Sequence, residues 1–267
     1  MKTVVITGSS KGIGLGLSQQ FLKRGHQVMM SSFAKEELES AVKNAQELYG
    51  AEKVAGCACD VTDLEQLQAL WKAAVDCFGK VDLWLNNAGI ANTTRKLWDL
   101  ESREIPRVVS TNLTGVMFGT QVALQGMIAQ GFGQVYNSEG FGSDDMLVNG
   151  LSVYGATKRG VRYFSEAVAQ EVDGLPVQVG RISPGIVLTD FLVEDMRKME
   201  PEQLETTKAV YNVLADDVET VTIFLVEEVL VNTENDRRIE WMSEEKANAY
   251  FADESRLSRD LFSQFGL

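Results

Sequence analysis

The feature that most constrains this chain is a junction near its start. A β-branched run at residues 2–7 enters Thr7-Gly8-Ser9-Ser10-Lys11-Gly12-Ile13-Gly14, and a helical pattern follows at once over 12–24. Ile13, Leu17, Phe21 and Leu22 share one face of that helix, and Gly25 stops it. A strand that turns directly into a helix has to return by a crossover, and the same unit recurs downstream. Strands are expected at 27–32, 54–59, 81–86, 134–137, 177–182 and 238–242. Helices are expected at 35–49, 62–78 (capped by Thr62 or Asp63), 106–129, 154–172 and 218–231. Such alternation predicts an α/β fold with a parallel sheet covered by helices. Residues 244–265 carry only weak helical character. With 267 residues, no repeats and no low-complexity linker, 1–267 reads as one domain.

In that setting the glycines have a chemical reading. They let the backbone approach a pyrophosphate while amide N–H groups at the helix start face it, although an ordinary tight turn also accepts glycines at this spacing. A net charge of −13 argues against a phosphate-backbone partner, so no nucleic acid is expected. The single histidine, His26, excludes a Ser-His-Asp triad and any multi-histidine centre, and no metal site is expected. Cys57, Cys59 and Cys77 are odd in number and spaced like neither a disulfide framework nor a zinc ribbon, which suits a reducing compartment. Residues 1–8 show no basic leader, and no apolar stretch is long enough to span a bilayer. The expectation is a cytoplasmic protein.

A second motif supplies proton chemistry. Tyr154-Gly155-Ala156-Thr157-Lys158 puts a phenol and an ammonium four residues apart on one helix face. An ordinary phenol titrates near 10, so a cation that stabilises the phenolate makes Tyr154 usable near neutrality. Further signals are Asn86-Asn87-Ala88-Gly89 after the fourth strand, Asn112 in Asn112-Leu113-Thr114-Gly115, and Pro184-Gly185-Ile186-Val187-Leu188-Thr189.

Taken in order, these motifs resemble the short-chain dehydrogenase/reductase family from Thr3 to about Thr189. The resemblance implies a single Rossmann-type, doubly wound parallel sheet and a hydride-transfer oxidoreductase acting on a carbonyl or alcohol, with reduction the favoured direction. It implies Tyr154 as proton donor and acceptor. Lys158 would bind the nicotinamide ribose and lower the phenol's pKa, and Asn112 would hold a water in the proton relay. Gly8, Ser10, Lys11, Gly12, Ile13 and Gly14 would form the pyrophosphate loop, while Ser32, Asp60 and Val61 would lie at the adenosine end. Asn86, Ala88 and Gly89 would border the cofactor, Pro184 and Gly185 would floor the nicotinamide, and Thr189 would meet its carboxamide. Family members commonly pair through the helices at 106–129 and 154–172, so a homodimer or homotetramer is implied.

One position departs from the family pattern. Counting thirteen residues back from Tyr154, where the family has a serine, lands on Phe141; counting from Asn137 lands near Gly140. Ser138, slightly favoured, and Ser143 are the candidate carbonyl partners, and a backbone N–H of the turn 140–142 is the alternative. This stretch, with Val153 to Lys158, Ser183 to Asp190 and Arg238 to Met242, resembles the chlorophyll b reductase branch, which implies a formyl group on a large porphyrinoid. After the second strand stand Ser32 and Phe33 rather than an acid. Lys11 and Lys35 lie close enough to receive a 2′-phosphate, so NADP(H) is favoured, with NAD(H) possible. The polar, acidic segment 190–216 reads as a substrate lid. Two competing readings are a non-catalytic NADP-binding sensor or scaffold, and an isomerase or dehydratase on the same scaffold.

Overall fold

The computed structural model describes residues 1–267 except Asp145. The chain opens with β1 (Thr3–Ile6), α1 (Gly12–Lys23), β2 (Gln27–Ser32), α2 (Lys35–Tyr49), β3 (Val54–Ala58), α3 (Leu64–Phe78) and β4 (Leu83–Asn86). There follow α4 (Glu104–Val109), α5 (Gly115–Gln130), β5 (Gln134–Ser138), α6 (Ser152–Glu171), β6 (Gln178–Ser183) and β7 (Val187–Leu188). The last third contains α7 (Asp190–Met196), α8 (Pro201–Leu214), β8 (Asp216–Asp217), α9 (Val218–Val231), β9 (Arg238–Glu240), α10 (Glu244–Ala252) and α11 (Glu254–Leu257).

Among the described residues, seven strands form one sheet in the order β3-β2-β1-β4-β5-β6-β9, every pairing parallel. The strands are short and apolar on both faces, as β1 with all four residues buried illustrates, because helices cover both sides. One face packs Val4, Ile6, Val28, Leu85, Tyr136 and Ile182 under α1, α2 and α9. The other packs Val5, Met29, Trp84, Val135 and Val179 under α3, α5 and α6. The chain winds outward from β1 in one direction and from β4 in the other, so their carboxyl ends flank a crevice where such sheets receive ligands.

Several expectations are refined. Asp63, not Thr62, caps α3, accepting from the backbone N–H groups of Glu65 and Gln66. The single helix expected at 106–129 is a helical run from Glu104 to Gln130 interrupted by a π turn at Ser110–Thr114, a wide turn that periodicity alone does not reveal. The segment read as a lid folds into α7 and α8. The weakly helical tail forms α10 and α11 and is tied to the end of α8. Asp216 bonds Arg256 at 2.7 Å, the indole N–H of Trp241 at 2.8 Å and the Tyr250 hydroxyl at 3.1 Å. The three cysteines are free. Among the described residues, no helix is long and apolar enough to cross a membrane, and no cluster suits a metal ion.

Candidate active site

The glycine loop is shaped by two close approaches. Gly8 has φ +64°, and a Cβ there would sit 2.8 Å from the Cα of Ala88. A Cβ on Gly14 would lie 2.2 Å from the carbonyl oxygen of Gly8, so only glycine lets α1 start this close to β1. The loop is locked to the end of β4 by Asn87, whose side-chain N–H groups donate to the carbonyls of Thr7 and Gly8 at 3.0 and 3.1 Å. The hydroxyl of Thr7 accepts the backbone N–H groups of Asn87 and Ala88. These approaches leave a backbone cradle at a helix start, which fits a dinucleotide pyrophosphate. Ile13 lies in the first turn of α1, and Gly12 faces the methyl of Thr189, itself the N-cap of α7. Pro184 and Gly185 stand on the turn between β6 and β7, so both ends of the expected cofactor site converge.

Asn86 is placed otherwise. Its side chain is buried in a polar network, accepting from the Trp84 indole at 2.8 Å and donating to Thr120 and Asn137. It turns away from the loop that its neighbour Asn87 holds. Strand alternation decides which of two adjacent asparagines faces the loop, and the register was not legible in the sequence. At the adenosine end, Ser10 and Ser32 share a hydroxyl hydrogen bond of 3.0 Å. Asp60 accepts from the N–H and hydroxyl of Thr62, and Val61 is buried behind it. Lys11 pairs with Glu37 at 3.5 Å and Lys35 with Glu39 at 3.8 Å, all four side chains being largely exposed. Phe33 is 80% exposed at the strand exit, so it is not core packing.

At the other end of the crevice α6 brings Tyr154 and Lys158 to the carboxyl end of β5. The Tyr154 backbone N–H donates to buried Asn92 at 3.1 Å, and Asn92 also holds the Gly150 carbonyl, so this residue fixes the start of α6. Lys158 is buried; its ammonium donates to the Ser138 carbonyl at 2.9 Å and lies 5.7 Å from the centre of the Tyr154 ring. Asn112 sits in the π turn with its amide closed on the backbone of Ile90, accepting from its N–H and donating to its carbonyl, each at 2.8 Å. A Cβ on Gly89 would lie 3.4 Å from Asn112 and 3.7 Å from Lys158, so these three share one wall.

Burial raises the Tyr154 phenol well above its usual range and lowers Lys158 to about 8, partly offset by Glu139. The expectation that Lys158 brings the phenol down toward neutrality is therefore corrected for the chain by itself. Desolvation dominates, and Tyr154 holds its proton.

The serine question has a geometric answer. A Cβ on Gly140 would lie 2.5 Å from the Tyr154 hydroxyl, so Gly140 occupies the place from which a side chain would reach the phenol. Ser138 is buried, and its hydroxyl finds no partner among the described residues. Ser143 is buried and donates to Glu139 at 3.2 Å. Both hydroxyls are closed off from solvent. Glu139, missed by the sequence reading, is a buried carboxylate bonded to Arg238 at 2.7 Å and 3.9 Å from Arg181. An acid just past a strand end gave no signal of its own.

A family model described as short chain dehydrogenase matches residues 2–200, and the chain belongs to that family. It is 35% identical over 228 residues to "Chlorophyll(ide) b reductase NOL, chloroplastic" of Arabidopsis thaliana, covering 84% of this chain and 64% of that one. It spans about half to two thirds of the chlorophyll(ide) b reductases it matches. The crystal structure of levodione reductase superposes with TM-score 0.81 at 25% identity, covering 92% of this chain and 98% of that one. An actinorhodin polyketide ketoreductase with NADPH has TM-score 0.81 at 24% identity, covering 92% and 97%, and shows the shared fold.

Proposed function

We propose that the enzyme is an NADP(H)-dependent carbonyl reductase in which Tyr154 protonates the oxygen of a carbonyl as hydride reaches its carbon. The observation that carries this is the Tyr154 hydroxyl itself: it lies over Gly140, beside buried Lys158, with no hydrogen-bond partner among the described residues. When bound, the nicotinamide supplies the hydride, and C=O plus hydride plus proton gives the alcohol. A phenol held protonated by burial is in the form that reduction needs, and the alkoxide that develops on the substrate is basic enough to take its proton. Lys158 would hold the ribose side of the cofactor when it is bound, and Asn112 stands beside it on the wall at Gly89.

Several observations support NADP(H) over NAD(H). No acid stands at Ser32 or Phe33, and the hydroxyls of Ser10 and Ser32 meet where a 2′-phosphate would sit. Lys11 is held only by an exposed pair with Glu37, of a kind worth about 0–1 kcal/mol, which a phosphate readily displaces.

For the substrate, the rim of the crevice is informative. Trp98, Met146, Leu147 and Phe191 are exposed on the segments around it, 79%, 54%, 96% and 48% respectively. Such a rim suits a large, flat, apolar molecule. With the likeness to chlorophyll(ide) b reductases, this supports a formyl group on a porphyrinoid ring. A homodimer or homotetramer through α5 and α6 and a cytoplasmic location remain proposals, the latter beside plant relatives named as chloroplastic.

The test is NADPH against NADH oxidation by purified protein over aldehydes, ketones and formyl porphyrinoids, repeated with Tyr154→Phe. Turnover with NADPH that falls by about 10²-fold or more in the variant, at unchanged cofactor affinity, is expected. Tight cofactor binding without oxidation of any substrate would favour a sensor, and turnover without net cofactor use an isomerase or dehydratase.

A further inference from the structure

Gly140 leaves the site with one hydroxyl where the family pattern supplies two, and the second is found on α8. Tyr211 lies in the last turn of that helix, and its ring stacks on Phe141, the neighbour of Gly140, with centres 6.5 Å apart and planes 11° from parallel. Phe141, the residue on which the count back from Tyr154 lands, is therefore the platform that brings a second tyrosine to the Gly140 turn.

The helix end carrying Tyr211 is held firmly. Arg259 donates to the carbonyls of Asn212, Val213 and Ala215 at 2.7, 2.9 and 2.8 Å, and Arg256 donates to that of Val213 at 3.0 Å. The Leu261 N–H binds the Asn212 side chain at 2.9 Å. From the other side, Asp195 on α7 accepts the Thr94 hydroxyl at 2.8 Å, joining the lid to the loop after β4. Six hydrogen bonds thus fix the two helices around a ring whose own hydroxyl has no partner among the described residues. Burial and the Asp195 carboxylate push the Tyr211 phenol up to about 12, so it stays a neutral donor across the working range.

We propose that Tyr211 is a catalytic residue: its hydroxyl hydrogen-bonds the substrate carbonyl oxygen beside that of Tyr154, in place of the serine that Gly140 excludes. The tail α10 to α11 is then the brace that positions it, a role for a segment whose sequence pattern is weak. A donor held in place before the reaction costs no reorganisation as charge develops on the oxygen. This rests on the carbonyl-reductase reading above.

The experiment compares wild type, Tyr154→Phe, Tyr211→Phe and Phe141→Leu with NADPH and a naphthaldehyde, together with NADPH affinity by fluorescence and the melting temperature. Tyr211→Phe keeps the ring and its stack, so folding and NADPH affinity should not move. Turnover should fall by about 10- to 100-fold, the scale of losing one donor to the oxyanion. Phe141→Leu, which removes the platform and leaves the hydroxyl, should lose less. Turnover in Tyr211→Phe equal to wild type, with Tyr154→Phe inactive, would overturn this proposal alone. A wild type inactive on every carbonyl would overturn the reading beneath it as well.

Discussion

Burying Lys158 should leave a signature in the stability of the cofactor-free protein. An ammonium that titrates near 10.5 when exposed is lowered to about 8 in the fold, chiefly by desolvation. Between those values the unfolded chain binds more protons than the native one, so stability rises with pH. The contribution is complete above the unfolded value and is lost as pH falls through the folded one. At 1.36 kcal/mol per unit, and allowing for partial titration at both ends, Lys158 should add about 2 kcal/mol of stability on going from about pH 8 to about pH 10. Lys158→Met keeps most of the aliphatic stem and removes the titration. Denaturant unfolding of both proteins at the two pH values isolates the effect, because every other titrating group cancels in the double difference. Curves that stay parallel within about 0.5 kcal/mol would mean that Lys158 is not desolvated as described. The same ionisation bears on catalysis: once the ammonium is neutral, the charge beside Tyr154 is gone.

Three further substitutions probe the site from different sides. Glu37→Gln removes the carboxylate that pairs with Lys11 near the adenosine end, so NADPH affinity should rise by about 3- to 10-fold while NADH affinity stays put. Equal changes for both cofactors in a binding titration would disconnect Lys11 from the 2′-phosphate. Gly140→Ser puts a Cβ 2.5 Å from the Tyr154 hydroxyl, so the phenol must shift and turnover should drop by at least about 10-fold; a more active variant would show that the turn opens freely. Ser138→Ala deletes a buried hydroxyl without a partner, so stability should be unchanged or up by about 1 kcal/mol, with turnover intact. A large loss of turnover in that variant would return Ser138 to the catalytic set.

The order and kind of the sheet elements were legible because apolar period marks each one and glycines punctuate the ends of β1, β4, β5 and β6. What period cannot show is a change of helical pitch. The π turn at Ser110–Thr114 keeps the run helical while rotating Asn112 so that its amide closes on Ile90, and no residue type marks that rotation. The tail was obscure for a related reason. α10 and α11 have no buried residue, and what holds them is a set of arginine contacts to carbonyls and to Asp216, long-range partners that no local window contains.

The candidate site divides along the same line. Tyr154 and Lys158 sit one helical turn apart, and a fixed spacing in sequence becomes a fixed spacing in space, so the pair could be read directly. Its electrostatics could not, because a pattern gives neighbours and omits burial, and burial is what keeps the proton on Tyr154 and weakens its hold on Lys158. The missing serine shows the limit more sharply. The two ways of counting gave different positions because they start from opposite ends of the connection between β5 and α6, across which residue number does not measure distance. A Cβ built at Gly140 reaches the phenol, while the ring of Phe141 turns outward to meet Tyr211, seventy residues later in the chain. Where two residues meet only through a connection and a helix far along the chain, the sequence can supply both and still not say that they meet.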